Sequence, residues 1–78
     1  MTLNDLSAGA RARITAIRAA DPAVQRLMQL GLVEGAELRF LRASLGGDPL
    51  EFEVYGVAVS LRRAQAQAFD IDVFETAS

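Results

Sequence analysis

The 78-residue sequence predicts a small, mainly β domain: five short strands curled into a barrel, one short helix and one further helical turn. Three observations carry this. Apolar and polar residues alternate with period two in five separate stretches. The single clear helical pattern is about two turns long, too short to stand alone in water, so it must lie on an apolar surface. The chain is 51% apolar, enough for one core, and its length fits one domain over residues 1–78.

The chain opens with Leu3 and Leu6 set among Asn4, Asp5 and Ser7, a loop or single helical turn with both leucines tucked onto the body. Gly9 precedes the first strand, where Ala10, Ala12, Ile14 and Ala16 alternate with Arg11, Arg13 and Thr15. The alternation slips at Ala16–Ile17, which marks a bulge or a strand end. Asp21 is placed to N-cap a helix, and Pro22 follows at the first helical position, where its missing N–H costs nothing. At 100° per residue, Ala23, Val24, Leu27, Met28 and Leu30 fall on one arc, with Gln25, Arg26 and Gln29 opposite. Gly31 stands where a left-handed C-terminal cap is expected, and Gly35 where the chain turns into the second strand.

From Ala36 the period returns to two. Ala36, Leu38 and Phe40 point one way, Glu37 and Arg39 the other, until Phe40–Leu41 breaks the phase. Ala43 to Pro49 is a loop, and its Gly46-Gly47-Asp48-Pro49 run is a strong turn signal. No helix follows the glycines, so they predict a hairpin tip rather than a phosphate cradle. Leu50, Phe52 and Val54 alternate with Glu51 and Glu53, Tyr55-Gly56 makes a two-residue turn, and Val57, Val59 and Leu61 alternate with Ala58 and Ser60. Arg62 to Gln67 reads as one helical turn. Phe69, Ile71 and Val73 then alternate with Asp70 and Asp72, and Phe74 with the tail from Glu75 to Ser78 adds little. Five strands with one apolar face each cannot hide those faces as a flat sheet in so short a chain. Curling hides them and removes most free edges. The expected architecture is therefore a five-stranded SH3-like barrel, capped at one end by a helix over about 22–30, with a helical turn over about 62–67.

Composition excludes several classes of function. The chain has no cysteine and no histidine, so disulfides, thiolate sites and the usual zinc, copper and non-haem iron ligands are absent. No apolar run reaches the length of about 20 residues that spans a bilayer, and residues 1–10 lack a signal-peptide pattern; a cytoplasmic location without direct membrane insertion is expected. All eight cations are arginine against ten acids, a net charge of −2 that argues against nucleic-acid binding. Ser44, Ser60 and Thr15 have no histidine to activate them, so no catalysis is expected. Asp48, Glu51 and Glu53 are the only acids worth weighing as a metal site. Glu51 and Glu53 alternate on the outer side of a strand, where carboxylates are ordinarily solvated. No metal and no cofactor are expected.

Four groups of residues carry a family resemblance. Leu3, Leu6 and Gly9 match L-x-x-L-x-x-G. Arg26, Leu27, Leu30, Gly31, Leu32 and Gly35 match R-L-x-x-L-G-L-x-P-G. Gly47-Asp48-Pro49 matches a G-D-P loop, and Leu61, Arg62 and Ala66 match A-L-R-x-x-E-A. Over about Leu3 to Val73 the sequence resembles the FeoA family, small cytosolic SH3-like proteins associated with the bacterial ferrous-iron transporter FeoB. Glu34, Ser60 and Gln65 depart from that pattern, which often has proline, alanine and glutamate there. The resemblance implies a non-enzymatic accessory or regulatory protein that binds the cytosolic part of the transporter.

The residues that a barrel does not need are the candidates for that contact: Arg26 on the polar side of the helix, Arg62 and Arg63 at the start of the last helical turn, and Leu45 in the glycine loop. Arginines give directional contacts and an apolar tip can fill a pocket. The alternative is a stand-alone SH3-like interaction or self-association module, related to the C-terminal domain of iron-dependent repressors; the winged helix that precedes that domain in the repressors is not expected here. With three of the four phenylalanines expected inside, few aromatics remain for a proline-rich-peptide groove. An exposed barrel edge allows a weak homo-oligomer.

Overall fold

The structure is a computed structural model that describes residues 1–75. Of the tail expected from Glu75 to Ser78, Glu75 instead ends the last strand, and residues 76–78 lie outside the described residues. Five antiparallel strands form one sheet: β1 (Arg11–Ile17), β2 (Glu37–Ala43), β3 (Leu50–Val54), β4 (Val57–Leu61) and β5 (Phe69–Glu75). Their order is β4-β3-β2-β1-β5, so β2 is central, and the last strand crosses over to pair with the first. The SH3-like expectation holds in its elements and curvature. It is less complete at the edges, because β4 and β5 do not pair with each other among the described residues. The stretch from Arg62 to Ala68, which contains α2 (Arg63–Ala66), carries the chain from one to the other.

Both phase slips in the sequence coincide with register shifts. β1 against β5 loses register between Ile14 and Ala16, and β2 against β3 between Phe40 and Arg42. An extra residue bends its strand and increases the twist, which a short sheet needs in order to curl. β2 therefore runs on to Ala43 past the bulge rather than ending at Leu41. Inside the curl lies one apolar cluster. Phe52, Phe69, Leu3, Ile14, Leu32, Leu50, Leu61, Val24 and Val54 are its largest fully buried side chains, and among the described residues no polar or charged one is buried. Leu3 enters from a 3-10 turn, Leu3–Asp5, whose Thr2 N–H donates to Asp5 Oδ2 at 2.8 Å.

The helix α1 (Pro22–Gln29) begins as its sequence dictates. The Asp21 carboxylate accepts from Val24 N at 2.9 Å, and Pro22 occupies the first turn. Only Val24 and Leu27 of the predicted arc are buried, with Met28 packed against the margin of the core. Leu30 departs from expectation: it is 55% exposed. The helix proper stops at Gln29; Leu30, its C-cap, keeps αR backbone angles and falls at the margin of the apolar arc, on the far side of Leu27 from Val24. Gly31 N donates to Met28 O at 3.1 Å and Leu32 N to Leu27 O at 3.2 Å, a Schellman closure that turns Leu32 inward in place of Leu30. Asp21→Ala is expected to cost about 1 kcal/mol of stability by orphaning that helix donor. Urea denaturation of the two proteins measures the difference; an unchanged midpoint would mean that the cap is redundant.

Candidate protein-interaction surface

The outer face of the sheet is built from arginines that alternate with core residues, and register decides what each meets. Arg13 stands opposite Glu37 and pairs with it, and Arg39 pairs with its opposite number Glu53. Arg42 reaches Glu51, Arg11 reaches Glu75, and Arg18 binds Asp70 just beyond the end of the β1–β5 ladder. Such exposed pairs contribute at most about 1 kcal/mol each, but they leave those cations committed. Glu51 and Glu53 are thus ion-paired, where the sequence suggested simple solvation. Phe74 also does more than expected: the Arg11 and Arg13 guanidiniums lie over its ring, 5.3 and 5.6 Å from its centroid. A groove of about 320 Å³ crosses this face, lined by Arg11, Arg39, Glu53, Tyr55 and Glu75 among others. Its two arginines are paired to two of its own carboxylates, so it offers no uncompensated charge to a ligand.

Five of the eight arginines are therefore in ion pairs, and the remaining three are Arg26, Arg62 and Arg63. Among the described residues these have no acidic side-chain partner within ion-pair distance. All three are exposed.

The structure brings Arg63, Arg62 and the loop of Leu45 together. Leu45 begins a 3-10 turn, Leu45–Gly47, and is fully exposed at 103% of the reference value. Its loop is held from two sides. Ser44 N donates to Pro49 O at 2.9 Å and Gly47 N to Ser44 O at 2.8 Å, across a cis Asp48–Pro49 peptide. From the other side, Arg63 Nε donates to Gly47 O at 2.6 Å, and Arg63 N donates to Asp48 Oδ1 at 3.1 Å. Asn4 Nδ2 in turn donates to Arg63 O at 3.0 Å. Arg63 is thus a positioning residue as much as a surface charge: it ties the loop, α2 and the N-terminal turn into one unit. Arg62 is the N-cap of α2, and its N–H donates to Gln65 Oε1 at 2.9 Å. The glutamine that replaces the family's glutamate therefore keeps the capping acceptor. Arg26 stands apart on the exposed side of α1, and no recorded hydrogen bond or ion pair links its side chain to the Leu45 loop.

Among the described residues, no group of three or more acidic, histidine or cysteine side chains is placed to hold a metal ion. No helix is long and apolar enough to cross a membrane. What the arrangement offers is an exposed apolar tip on a tethered loop, beside two arginines that have no acidic side-chain partner among the described residues.

Comparison with known proteins gives this geometry a family. The FeoA domain model matches residues 1–71. A FeoA protein from Chlorobium tepidum, solved by NMR, is 37% identical with a TM-score of 0.89, covering 100% of this chain and 74% of that one. FeoA from Stenotrophomonas maltophilia, crystallised with zinc and described as an SH3 domain protein possibly acting as a ferrous iron transport activating factor, is 32% identical with a TM-score of 0.79. It covers 92% of this chain and 89% of its own. A manganese-dependent transcriptional repressor shares the fold alone: 22% identity and a TM-score of 0.83, over 95% of this chain and 36% of that one. No curated protein gives a significant match. With the model spanning nearly every described residue and two solved relatives above 30% identity, this chain belongs to the FeoA family of ferrous iron transport accessory proteins.

Proposed function

We propose that this protein is a cytoplasmic, non-enzymatic regulator of bacterial ferrous iron uptake that acts by binding the cytosolic part of a FeoB-type transporter. The contact surface is the Leu45 loop with Arg62 and Arg63, extended by Arg26. The observation that carries the reading is the fully exposed Leu45 on a loop clamped by Arg63. An apolar side chain left in water serves no folding purpose, and a backbone tied down beside it reduces the entropy lost when a partner pocket closes over the tip. The partner surface that fits is an apolar pocket with carboxylates at its rim, since the nearby arginines lack acidic partners of their own.

The test is capture of the purified transporter cytosolic domain on immobilised wild-type protein, Arg26→Glu and Leu45→Asp. Leu45→Asp is expected to weaken binding about tenfold or more, as loss of a central anchor does, and Arg26→Glu less, as a rim charge. Neither change touches the core, so thermal unfolding stays as in the wild type. Equal capture by all three proteins would discard this surface. No capture of the wild type would discard the partner.

A further inference from the structure

The two edges of the sheet are treated differently. The outer edge of β5 is covered by the N-terminus: Ile71 N donates to Met1 O at 3.0 Å, and Thr2 bridges Asp70. β5 also carries Asp70, Asp72 and Glu75, and charges on an edge deter a second strand. β4 has neither protection. Among the described residues it pairs with β3 alone, and Val57-Ala58-Val59-Ser60-Leu61 contains no charge, whereas every other strand of this sheet contains at least two. Val57, Ala58 and Ser60 are exposed.

The hairpin fixes which backbone groups this edge presents. Tyr55 and Gly56 have φ of +51° and +79°, a two-residue turn with positive φ at both positions, and Val54 pairs with Val57 across it. That closing pair is hydrogen-bonded, and the pattern alternates along an antiparallel ladder. Val57, Val59 and Leu61 therefore spend their N–H and C=O groups on β3. Ala58 and Ser60 point theirs outward. One residue further, Arg62 N–H is taken by Gln65, which ends the open stretch.

We propose that this edge pairs with the β4 edge of a second copy of the chain, antiparallel about a two-fold axis at Val59. Ala58 of one copy then faces Ser60 of the other as a hydrogen-bonded pair, twice per dimer, and two five-stranded sheets join into one. Charge selects both the partner and the direction. β4 is the one neutral strand among the five described, so a self-pair opposes no like charges. Antiparallel pairing sets the Arg62–Arg63 end of each copy against the neutral Tyr55–Gly56 turn of the other, whereas parallel pairing would set four arginines side by side. The outward side chains at the contact are alanine and serine, small enough to leave the new ladder unobstructed. A contact of one short strand is small, so the association is weak and concentration-dependent.

Sedimentation equilibrium of the full chain from about 10 μM to about 1 mM reads the association directly. Two variants test the register. Ala58→Lys with Ser60→Lys opposes like charges at both pairs and is expected to weaken the dimer about tenfold or more. Ala58→Lys with Ser60→Glu is self-complementary in this register alone and is expected to dimerise within about threefold of the wild type. Both positions are exposed, so both variants stay folded, but Ser60→Glu stands opposite Glu51 on β3 and is expected to lower the thermal midpoint slightly; association is therefore compared at a temperature well below both midpoints. A wild type that is monomeric at about 1 mM overturns the proposal and leaves the edge to an extended strand of a different protein. Equal association of the two variants overturns the register and the β4 interface with it.

Discussion

Phe52→Ala is expected to lower the unfolding free energy by about 3–5 kcal/mol, the usual cost of emptying a buried aromatic site. Phe52 is 0% exposed and lies opposite Phe40 on β2 and Val59 on β4, with its ring centroid 5.2 Å from that of Phe40. It therefore occupies the middle of three consecutive strands, and the surrounding sheet cannot collapse into the space without breaking register. A domain of 78 residues has a total stability of about 4–12 kcal/mol at the usual 0.05–0.15 kcal/mol per residue. The variant should thus be partly unfolded at room temperature, or melt far below the wild type. Urea titration followed by far-UV circular dichroism reads this as a large drop in midpoint. Phe74→Ala is the control, because that ring is 45% exposed and its arginine neighbours also hold carboxylates. A loss below about 2 kcal/mol for Phe52→Ala would show that the core is not centred where the burial places it.

The centrality of Phe52 follows from its position in an alternating stretch between two turn signals, and this is the kind of feature that sequence conveys well. Alternation assigns each residue of a strand to one face, so the inward set of all five strands was legible. So were two of the three register shifts, because an extra residue leaves two apolar side chains adjacent, beside the β1 shift at Ala16–Ile17 and at the β2 shift at Phe40–Leu41; the shift between Arg11 and Ala12 leaves no such mark. Leu30 misled for a physical reason. The helical wheel says which side chains share an arc but not how far the core reaches around it, and Leu30 lies at the margin of that arc, where Leu32 takes the inward place after the Gly31 turn. The open β4 edge was also hidden, since alternation says that Val57 faces inward but not that the curl stops short there, leaving it 61% exposed.

Long-range pairing set the limit for the candidate surface. Nothing local indicates that Arg39 will stand beside Glu53, or that Arg63 will reach the carbonyl of Gly47, because the first needs the register of β2 against β3 and the second the docking of α2 on the loop between them. The sequence could nominate Arg26, Arg62 and Arg63 only by their places on or beside helical elements. Their lack of acidic partners among the described residues emerged only when the other five found theirs. Leu45 was nominated on better grounds, since an apolar residue between a strand and a Gly-Gly turn has no inward face to occupy. Phe74 was passed over because Val73 had already filled the inward position. Its ring went to the outer face, where arginines of the neighbouring strand cover it.

Gly31→Val is expected to cost about 3 kcal/mol, for two separable reasons. Gly31 has φ of +113°, beyond the left-handed region that other residues visit, and holding a side chain there costs about 1–3 kcal/mol. A Cβ on Gly31 would also lie 3.2 and 3.3 Å from Tyr55 Cδ2 and Cε2, and 3.4 Å from Val54 Cγ1. Tyr55 is 74% exposed and can swing aside, but Val54 is 1% exposed and cannot, so a branched side chain meets a wall that alanine would only graze. Gly35 separates the two causes. Its φ is +86° and a Cβ there would meet nothing within 4 Å, so Gly35→Ala reports backbone strain alone, about 1–2 kcal/mol. Gly31→Ala should exceed it, Gly31→Val should exceed both, and adding Tyr55→Ala should recover less than half of the Gly31→Val loss, because the backbone strain remains. Thermal and urea unfolding of these variants test the order. If Tyr55→Ala restored Gly31→Val completely, ring contact alone would fix this turn, and the positive φ would be incidental to how α1, with Arg26 upon it, is set against the sheet.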